Sequence, residues 1–477
     1  VLYRYLLRLS GEISLKGSMR GALEQMLVRN IIRTIGSDIT YIRTIDGGRI
    51  YVEASKEISE ALSRFFGVVE VLEVYVESSK DLEMLSRRIR ELLCNTLSGK
   101  RFAVRVRRAG ATGYTSMDAA RIIGSMLLEC SEGVDLENPG EIIYVEIRGD
   151  RAYISISSMA RKGFGGLPLG SSEKVLSLFS GGFDSPVATW MVMKRGSPAD
   201  LLHYVMGSIE NSIRALRVGE VLIKRWSLGY GSKAYAIDFS EIVSEIRSKI
   251  KRRLWQPSLR RAMYVVGEMF LERIGAEALV TGESIWEASS QRLRALHAAQ
   301  KGLDALILRP LIGFDKAEIM RLSMELGFYE HSSKVVESCF IGSPSPPDLD
   351  PGELLSEFSK IDRSVFERAI EGSIEINYQE NWEEKLLSSL KTASFSIETI
   401  PEGYVVVDIS RRKGYGPIKG LEDLEKLLEK REKLVLVCEM GEASEALARH
   451  LREQGYDVYS LKGGLKTLRQ ILNIKST

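Results

Sequence analysis

The chain has 477 residues, room for about three domains at roughly 150 residues each, and its 44% hydrophobic and 27% charged content is that of an ordinary soluble protein. A formal net charge of +2 excludes a bulk polycation, so any nucleic-acid surface must come from local clustering of Lys and Arg. No run approaches the ~20 apolar residues of a membrane span, the arginine-broken stretch 1–9 is not expected to be a signal peptide, and four cysteines without a CxxC pair argue against a disulfide scaffold or a zinc knuckle, so a cytoplasmic protein with no membrane partner is expected.

Residues 1–60 read as a strand over 3–9, a helix over 19–35, and a hairpin of 39–45 and 49–53 turning at Asp46-Gly47-Gly48. That is a small α+β unit of ferredoxin-like type. Residues 61–165 repeat the theme: a helix over 58–66, a strand over 68–76, a helix over 81–97, a strand over 101–108, a helix over 118–130, and a hairpin of 142–147 and 152–157. Cys94 and Cys130 fall on apolar helix faces and are expected in the core. The strand over 101–108 carries Arg101, Arg105, Arg107 and Arg108, and alternation puts the first three on one face. Arg8, Arg161 and Lys162 are candidates to extend that patch. Taken alone, such a strand is as often a solvated sheet face as a binding surface.

The glycine-rich stretch 161–173 marks the clearest domain boundary. Beyond it, through 174–390, strands at 175–179, 201–205, 233–237, 278–281 and 305–308 alternate with helices. This pattern argues for a doubly wound parallel sheet with ligands at the carboxyl ends of its strands. Three motifs fall on such ends: Ser180 to Ser185, Thr281-Gly282-Glu283, and the run from Arg309 to Lys316. A proline-rich loop over 337–351 holds Cys339, a helical connector is expected to about 390, and 391–477 read as a compact α/β module.

Two of these features carry chemistry. The segment Ser180-Gly181-Gly182-Phe183-Asp184-Ser185-Pro186 reads as strand, tight turn and helix start, with Pro186 in the first helical turn. Backbone N–H groups aimed from a helix N-terminus form an anion cradle, and two glycines let it approach a phosphate closely. It is not a Walker loop, which needs Gly-Lys-Ser/Thr. Asp184 facing phosphates calls for an offsetting cation, Mg²⁺. In the last module Cys438 ends a strand and enters a helix through Gly441 and Ser444. N–H groups there would stabilise an anionic sulfur, the bland alternative being an ordinary buried cysteine.

The Ser-Gly-Gly-x-Asp-Ser turn resembles the PP-loop of ATP pyrophosphatases, which cut ATP between the α and β phosphates. Gly11-Glu12-Ile13, Leu15-Lys16-Gly17, Gly165-Gly166-Leu167-Pro168, Thr281-Gly282-Glu283-Ser284, Ser290-Gln291 and the run ending Asp315-Lys316 extend the likeness. Nearly the whole chain then resembles the tRNA 4-thiouridine synthetases (tRNA uridine 4-sulfurtransferases). Their order is a ferredoxin-like domain, a THUMP domain that holds the tRNA acceptor end, a PP-loop domain and, in some members, a rhodanese-like module. The resemblance implies that a tRNA uridine near position eight is adenylated by ATP at O4 and then takes up persulfide sulfur. It implies ATP at Ser180, Gly181, Gly182, Asp184, Ser185, Gly282, Gln291 and Lys316, with Lys316 offsetting charge on the α-phosphate. His203 is placed in the nucleotide pocket, and Arg260 and Arg261 are candidates for nucleotide or tRNA contact. Mg²⁺ is assigned to Asp184, tRNA to Arg101, Arg105, Arg107, Arg108 and Lys162, and the persulfide to Cys438. Cys339 is implied either to attack that persulfide or to form a disulfide with Cys438 as sulfur leaves. A cysteine desulfurase or other sulfur-donor protein is the implied partner, and a homodimer stays open.

Two departures stand out. Ser284-Ile285-Trp286-Glu287 replaces the family's Ser-Leu-Gly-Gln, and the loop from Cys438 to Ser444 lacks the arginine of many rhodaneses while carrying Glu439 and Glu442. The acidic loop suits a protein donor better than thiosulfate. Three competing readings are a PP-loop enzyme for a small molecule, delivery of sulfur to the thiamine thiazole through the rhodanese-like module, and a non-catalytic tRNA-binding sulfur carrier. A THUMP methyltransferase lacks its glycine-rich fingerprint here.

Overall fold

The structure, a computed structural model, describes residues 2–45, 48–109, 113–206, 208–336, 345–390, 396–453 and 455–472. Two compact units form: Val1–Glu173 with Met193–Pro198 and Arg225–Gly231, and Lys174–Val192 with Ala199–Lys224 and Ser232–Thr477. The division between Glu173 and Lys174 falls at the end of the glycine-rich stretch.

The first unit holds two five-stranded sheets. One runs Ala160–Lys162, Val68–Glu73, Tyr3–Leu9, Arg49–Ala54, Ile39–Ile45, antiparallel throughout. Helix Arg20–Ile35 covers it with Leu23, Leu27 and Ile31, which share one face because they recur every fourth residue. The other runs Tyr75–Ser78, Arg151–Ile156, Glu141–Arg148, Arg101–Ala109, Gly133–Val134. Helices Leu82–Leu97 and Ser116–Leu127 pack on it through Leu85, Ile89, Leu93, Ile123 and Leu127. Their starts follow local chemistry: Asp81 accepts from the N–H groups of Glu83 and Met84, and Thr115 and Asp118 form a capping box.

Three expectations change. The strand expected over 68–76 is two strands: Val74 N–H still donates to Arg4 O at 2.8 Å in the first sheet, while Tyr75 pairs with Ile154 in the second. The run from Val68 to Val76, interrupted by Glu70 and Glu73, carries no mark of which sheet each residue joins, so the first sheet extends past residue 60 and takes back Ala160–Lys162 as an edge. Cys94 and Cys130, expected as separate core thiols, are joined in a disulfide with Cα atoms 5.4 Å apart. Their helix ends pack side by side although 36 residues separate them in sequence. Arg8 does not extend the arginine patch. It is buried, and its Nε donates to Glu146 at 2.8 Å, its Nη1 to Glu70 at 2.5 Å.

In the second unit six strands run Leu306–Leu308, Ala278–Val280, Val175–Leu178, Ala199–Val205, Ala234–Asp238, Ile374–Ile376. The first five are parallel and the last is an antiparallel edge. Strand Ala199–Val205 is buried along its whole length, as a sheet covered on both faces requires. Ile374–Ile376 corrects the expected helical connector: three residues are too few to show a period. A parallel sheet of Ser396–Ile397, Val458–Leu461, Leu434–Val437, Val405–Asp408 and Lys419–Gly420 builds the C-terminal module. Among the described residues no helix is long and apolar enough to cross a membrane.

Candidate active site and arginine strand

The turn from Ser180 to Ser185 joins strand Val175–Leu178 to helix Asp184–Met193. Ser185 Oγ accepts from Ser180 N–H at 3.2 Å and Gly181 N–H at 3.1 Å, which folds both N–H groups inward round one hydroxyl. Gly181 has φ of +76°, and a Cβ there would lie 2.4 Å from Ala215 Cα. Gly282 lies against the same turn, where a Cβ would stand 2.8 Å from Ser185 N. The two motifs therefore meet because both lack side chains at the contact. Ser332, not foreseen from sequence, donates to Gly182 O at 3.2 Å.

Lys316 is brought to this turn by the capping box of Asp315 and Glu318, which starts helix Lys316–Leu326. Its Nζ lies 3.0 Å and 3.2 Å from the two Asp184 carboxylate oxygens and also donates to Glu287. Burial works against the Lys316 charge, but the hydrogen bond to Glu287 and the charge of Asp184 outweigh it and raise its pKa. A cation at a helix N-terminus opposes the helix dipole, so these two carboxylates are what keep it there. Glu287 was not expected at the site. The sequence signal was the departure at Ser284 to Glu287.

Beneath the turn lies a buried charge cluster. Glu283 accepts from Arg309 Nε at 2.7 Å and Thr281 Oγ1 at 2.9 Å, and is also bonded by Arg260 and Tyr264. Burial pushes the Glu283 carboxyl up, and the charges of Arg260 and Arg309 outweigh it and hold it below the ordinary value. Arg260 also donates to Ser290 Oγ at 2.9 Å, so it braces the loop before Gln291. Gln291 Oε1 in turn accepts from Ser284 N–H at 3.1 Å. Arg261 is structural: it donates to the carbonyls of Ala299 and Lys301 at 3.1 Å and 2.7 Å at the end of helix Leu293–Gln300. Glu283→Ala is expected to cost about 3–5 kcal/mol at pH 7, because two guanidinium groups lose their buried partner. A carboxyl with a depressed pKa stabilises above its ordinary range and loses that contribution as pH falls through the folded value. The deficit of Glu283→Ala in urea unfolding should therefore shrink on acidification.

His203 is buried, and its Nδ1 lies 2.9 Å from Phe179 O. A carbonyl only accepts, so Nδ1 carries the proton. Burial lowers the pKa, against the pull of that hydrogen bond, which leaves a neutral ring.

In the C-terminal module Cys438 follows strand Leu434–Val437 and is 4% exposed, with Gly441 N–H 3.2 Å and Ser444 Oγ 3.5 Å from its sulfur. Ser444 is held by Ser460 Oγ at 2.8 Å. A Cβ at Gly464 would stand 2.2 Å from Cys438 O, so only glycine lets the final turn close on this loop. Cys339 lies outside the described residues.

On strand Arg101–Ala109 the side chains of Arg101, Arg105 and Arg107 are exposed, as alternation requires, while Phe102, Val104 and Val106 face the helices. Arg105 Nη2 donates to Leu136 O at 2.8 Å. Arg108 does not join them: it lies on the helix-covered face and donates to Tyr114 O. Lys162 is exposed, but on the edge strand of the first sheet. Arg105→Ala with Arg107→Ala should flatten the slope of log affinity against log salt for tRNA by about one to two, since each phosphate contact contributes about 0.7–0.9. An unchanged slope would remove these two residues from the interface.

Family profiles match in four places: the ThiI ferredoxin-like domain over 4–71, the THUMP domain over 79–157, thiamine biosynthesis protein (ThiI) over 170–358, and the rhodanese-like domain over 366–470. Together they define a PP-loop protein with an RNA-type module before it and a rhodanese-like module after it. A tRNA sulfurtransferase of Desulfurococcus amylolyticus is 38% identical over 98% of this chain and 98% of its own length, and one of Pyrobaculum aerophilum 35% over 95% of each. The crystal structure of a 4-thiouridine synthetase–RNA complex with bound ATP superposes with a TM-score of 0.68 at 26% identity, over 79% of this chain and 99% of that one. The chain belongs to the tRNA sulfurtransferase family.

Proposed function

We propose that this protein uses ATP to replace the O4 oxygen of the tRNA uridine at position eight by sulfur, giving 4-thiouridine. The observation that carries the reading is the placement of Lys316 Nζ 3.0 Å from Asp184, beside the glycine turn at the carboxyl ends of parallel strands. A carbonyl oxygen is a poor leaving group, and attack of uracil O4 on the ATP α-phosphorus, with release of pyrophosphate, turns it into part of AMP. Positioning and charge neutralisation dominate such a step. Ser180, Gly181, Gly182 and Ser185 bind the phosphates, Lys316 moves from its carboxylates to the α-phosphate, and Gly282, Gln291 and neutral His203 line the nucleotide. Asp184 and Glu287 offer two carboxylates beside the glycine turn. That fits Mg²⁺, which takes one or two carboxylates with substrate phosphates and would neutralise the departing pyrophosphate.

Sulfur arrives on Cys438 as a persulfide from a cysteine desulfurase or other donor protein. Its terminal sulfur attacks C4 and AMP leaves. Cys339 thiolate then attacks Cys438 Sγ, so the sulfur stays on the base and a disulfide remains for a thiol reductant to open. The labour divides by module: residues 1–165 hold tRNA, with Arg101, Arg105, Arg107 and Lys162 as phosphate contacts, 174–390 carry the ATP chemistry, and 391–477 deliver sulfur. Pyrophosphate release from labelled ATP tests this directly. Release that requires tRNA supports it, whereas release without tRNA would favour a small-molecule acceptor.

A further inference from the structure

Trp286 stands out among the five tryptophans. It is 70% exposed, while Trp190, Trp226 and Trp382 are 5%, 1% and 4% exposed and Trp255 is half-buried, its Nε1 donating to Ile250 O at 2.9 Å. Its φ is +69°, the left-handed region that a bulky side chain rarely enters. Glycine would hold that turn without strain. Two unfavourable choices thus coincide at one residue, a large apolar ring in water and a strained backbone. Backbone strain of this kind persists where the surroundings enforce it, and it concentrates at functional positions.

The surroundings do enforce it. Trp286 N–H donates to Gln291 O at 3.5 Å, and the preceding Ile285 N–H to Ile312 O at 3.2 Å. The next residue, Glu287, bonds Lys316, so Trp286 adjoins in sequence the carboxylate that holds the lysine meeting Asp184. Arg292 places its guanidinium carbon 4.7 Å from the ring centroid, over one face. An indole backed by a guanidinium and otherwise open offers a flat surface with a positive edge, the pairing that single-stranded nucleic acid seeks.

We propose that Trp286, backed by Arg292, is a stacking platform for the tRNA base brought to the adenylation site. The inference rests on the proposed reaction at that site. A pyrimidine whose O4 must meet the α-phosphate beside Lys316 has to leave its stack in the tRNA, and an aromatic face replaces the lost neighbour. Trp286 is a positioning residue on this reading. It holds the base plane while other groups perform the chemistry.

Fluorescence and single-turnover thiolation together test it. With the full chain, tRNA should quench and shift the emission of the exposed indole, and Trp286→Ala should abolish that part of the signal. At saturating tRNA the single-turnover rate of Trp286→Ala should fall about tenfold to a hundredfold, the worth of one base–aromatic stack. Trp286→Phe should recover most of it. Trp286→Gly should lose the rate while keeping or raising Tm, since the backbone strain is relieved. Quenching by ATP alone would assign the ring to adenine and overturn the proposal, as would equal rates in Trp286→Ala and wild type. A fall in Tm that tracks the fall in rate across the variants would make the role structural and overturn it too. Should the wild-type chain fail to thiolate tRNA, the reaction assignment fails, and the tRNA titration of wild type against Trp286→Ala still decides the platform.

Discussion

Cys438→Ser is expected to lower persulfide-dependent thiolation of tRNA by at least about a thousandfold while leaving tRNA-dependent pyrophosphate release intact. A hydroxyl cannot accept sulfur from a donor persulfide, so this substitution removes the proposed covalent carrier rather than weakening it. The fold should tolerate the change. The sulfur is small and buried, and its partners Gly441 N–H at 3.2 Å and Ser444 Oγ at 3.5 Å can bond an oxygen as well. Inorganic sulfide at high concentration should restore thiolation in the variant, since it bypasses the carrier and attacks the adenylated base itself. Nucleoside mass spectrometry after each reaction provides the measurement. Pyrophosphate release that disappears together with thiolation would move Cys438 out of the delivery step and into the ATP step.

Lys316→Ala should reduce the adenylation rate by about a hundredfold to a thousandfold, the usual worth of one preorganised group aimed at developing charge. The Lys316 side chain is 41% exposed, so its removal should hardly change stability. An unaltered Tm beside a collapsed rate would therefore locate the effect in the chemistry. Asp184 and Glu287 hold the ammonium charged, and its pKa lies above the ordinary lysine value. No loss of rate should trace to Lys316 near neutral pH. A group with a raised pKa keeps its charge as pH rises until the folded value is passed, so its contribution should fade only in strong alkali. Lys316→Arg should keep part of the rate by retaining the charge, though the planar fork cannot copy a point charge.

Much of this is legible in the sequence alone. The PP-loop turn was readable because its glycines and Asp184 occur together after an apolar run, and the arginine strand because a period of two sorts side chains by face. What stayed hidden was long-range. Glu283 read only as part of a strand-end motif, yet it is the common partner of Arg260 and Arg309, 23 and 26 residues away. Arg8 reads as a candidate to extend the arginine patch, yet Glu146, 138 residues on, holds it in the interior. Cys94 and Cys130 gave no spacing signal for their bond. The exchange of sheets at Val74 leaves no local trace, because strand-forming residues continue through Val76 while their partners, Arg4 and Ile154, lie far away in sequence. Local pattern fixes which face a side chain takes, and only the packed chain decides what it meets there. The departure from the family's residues at Trp286 and Glu287 leaves the contacts of that turn unassigned in the sequence, and the structure puts Glu287 on Lys316.

The most direct measurement is mass spectrometry of nucleosides from unmodified tRNA transcript incubated with the purified chain, ATP, Mg²⁺ and a persulfide donor. One 4-thiouridine per tRNA is expected at position eight, formed with one AMP and one pyrophosphate and absent when ATP is withheld. Sulfur incorporated without ATP, or ATP cleaved with no thiolated uridine formed, would contradict the proposed reaction.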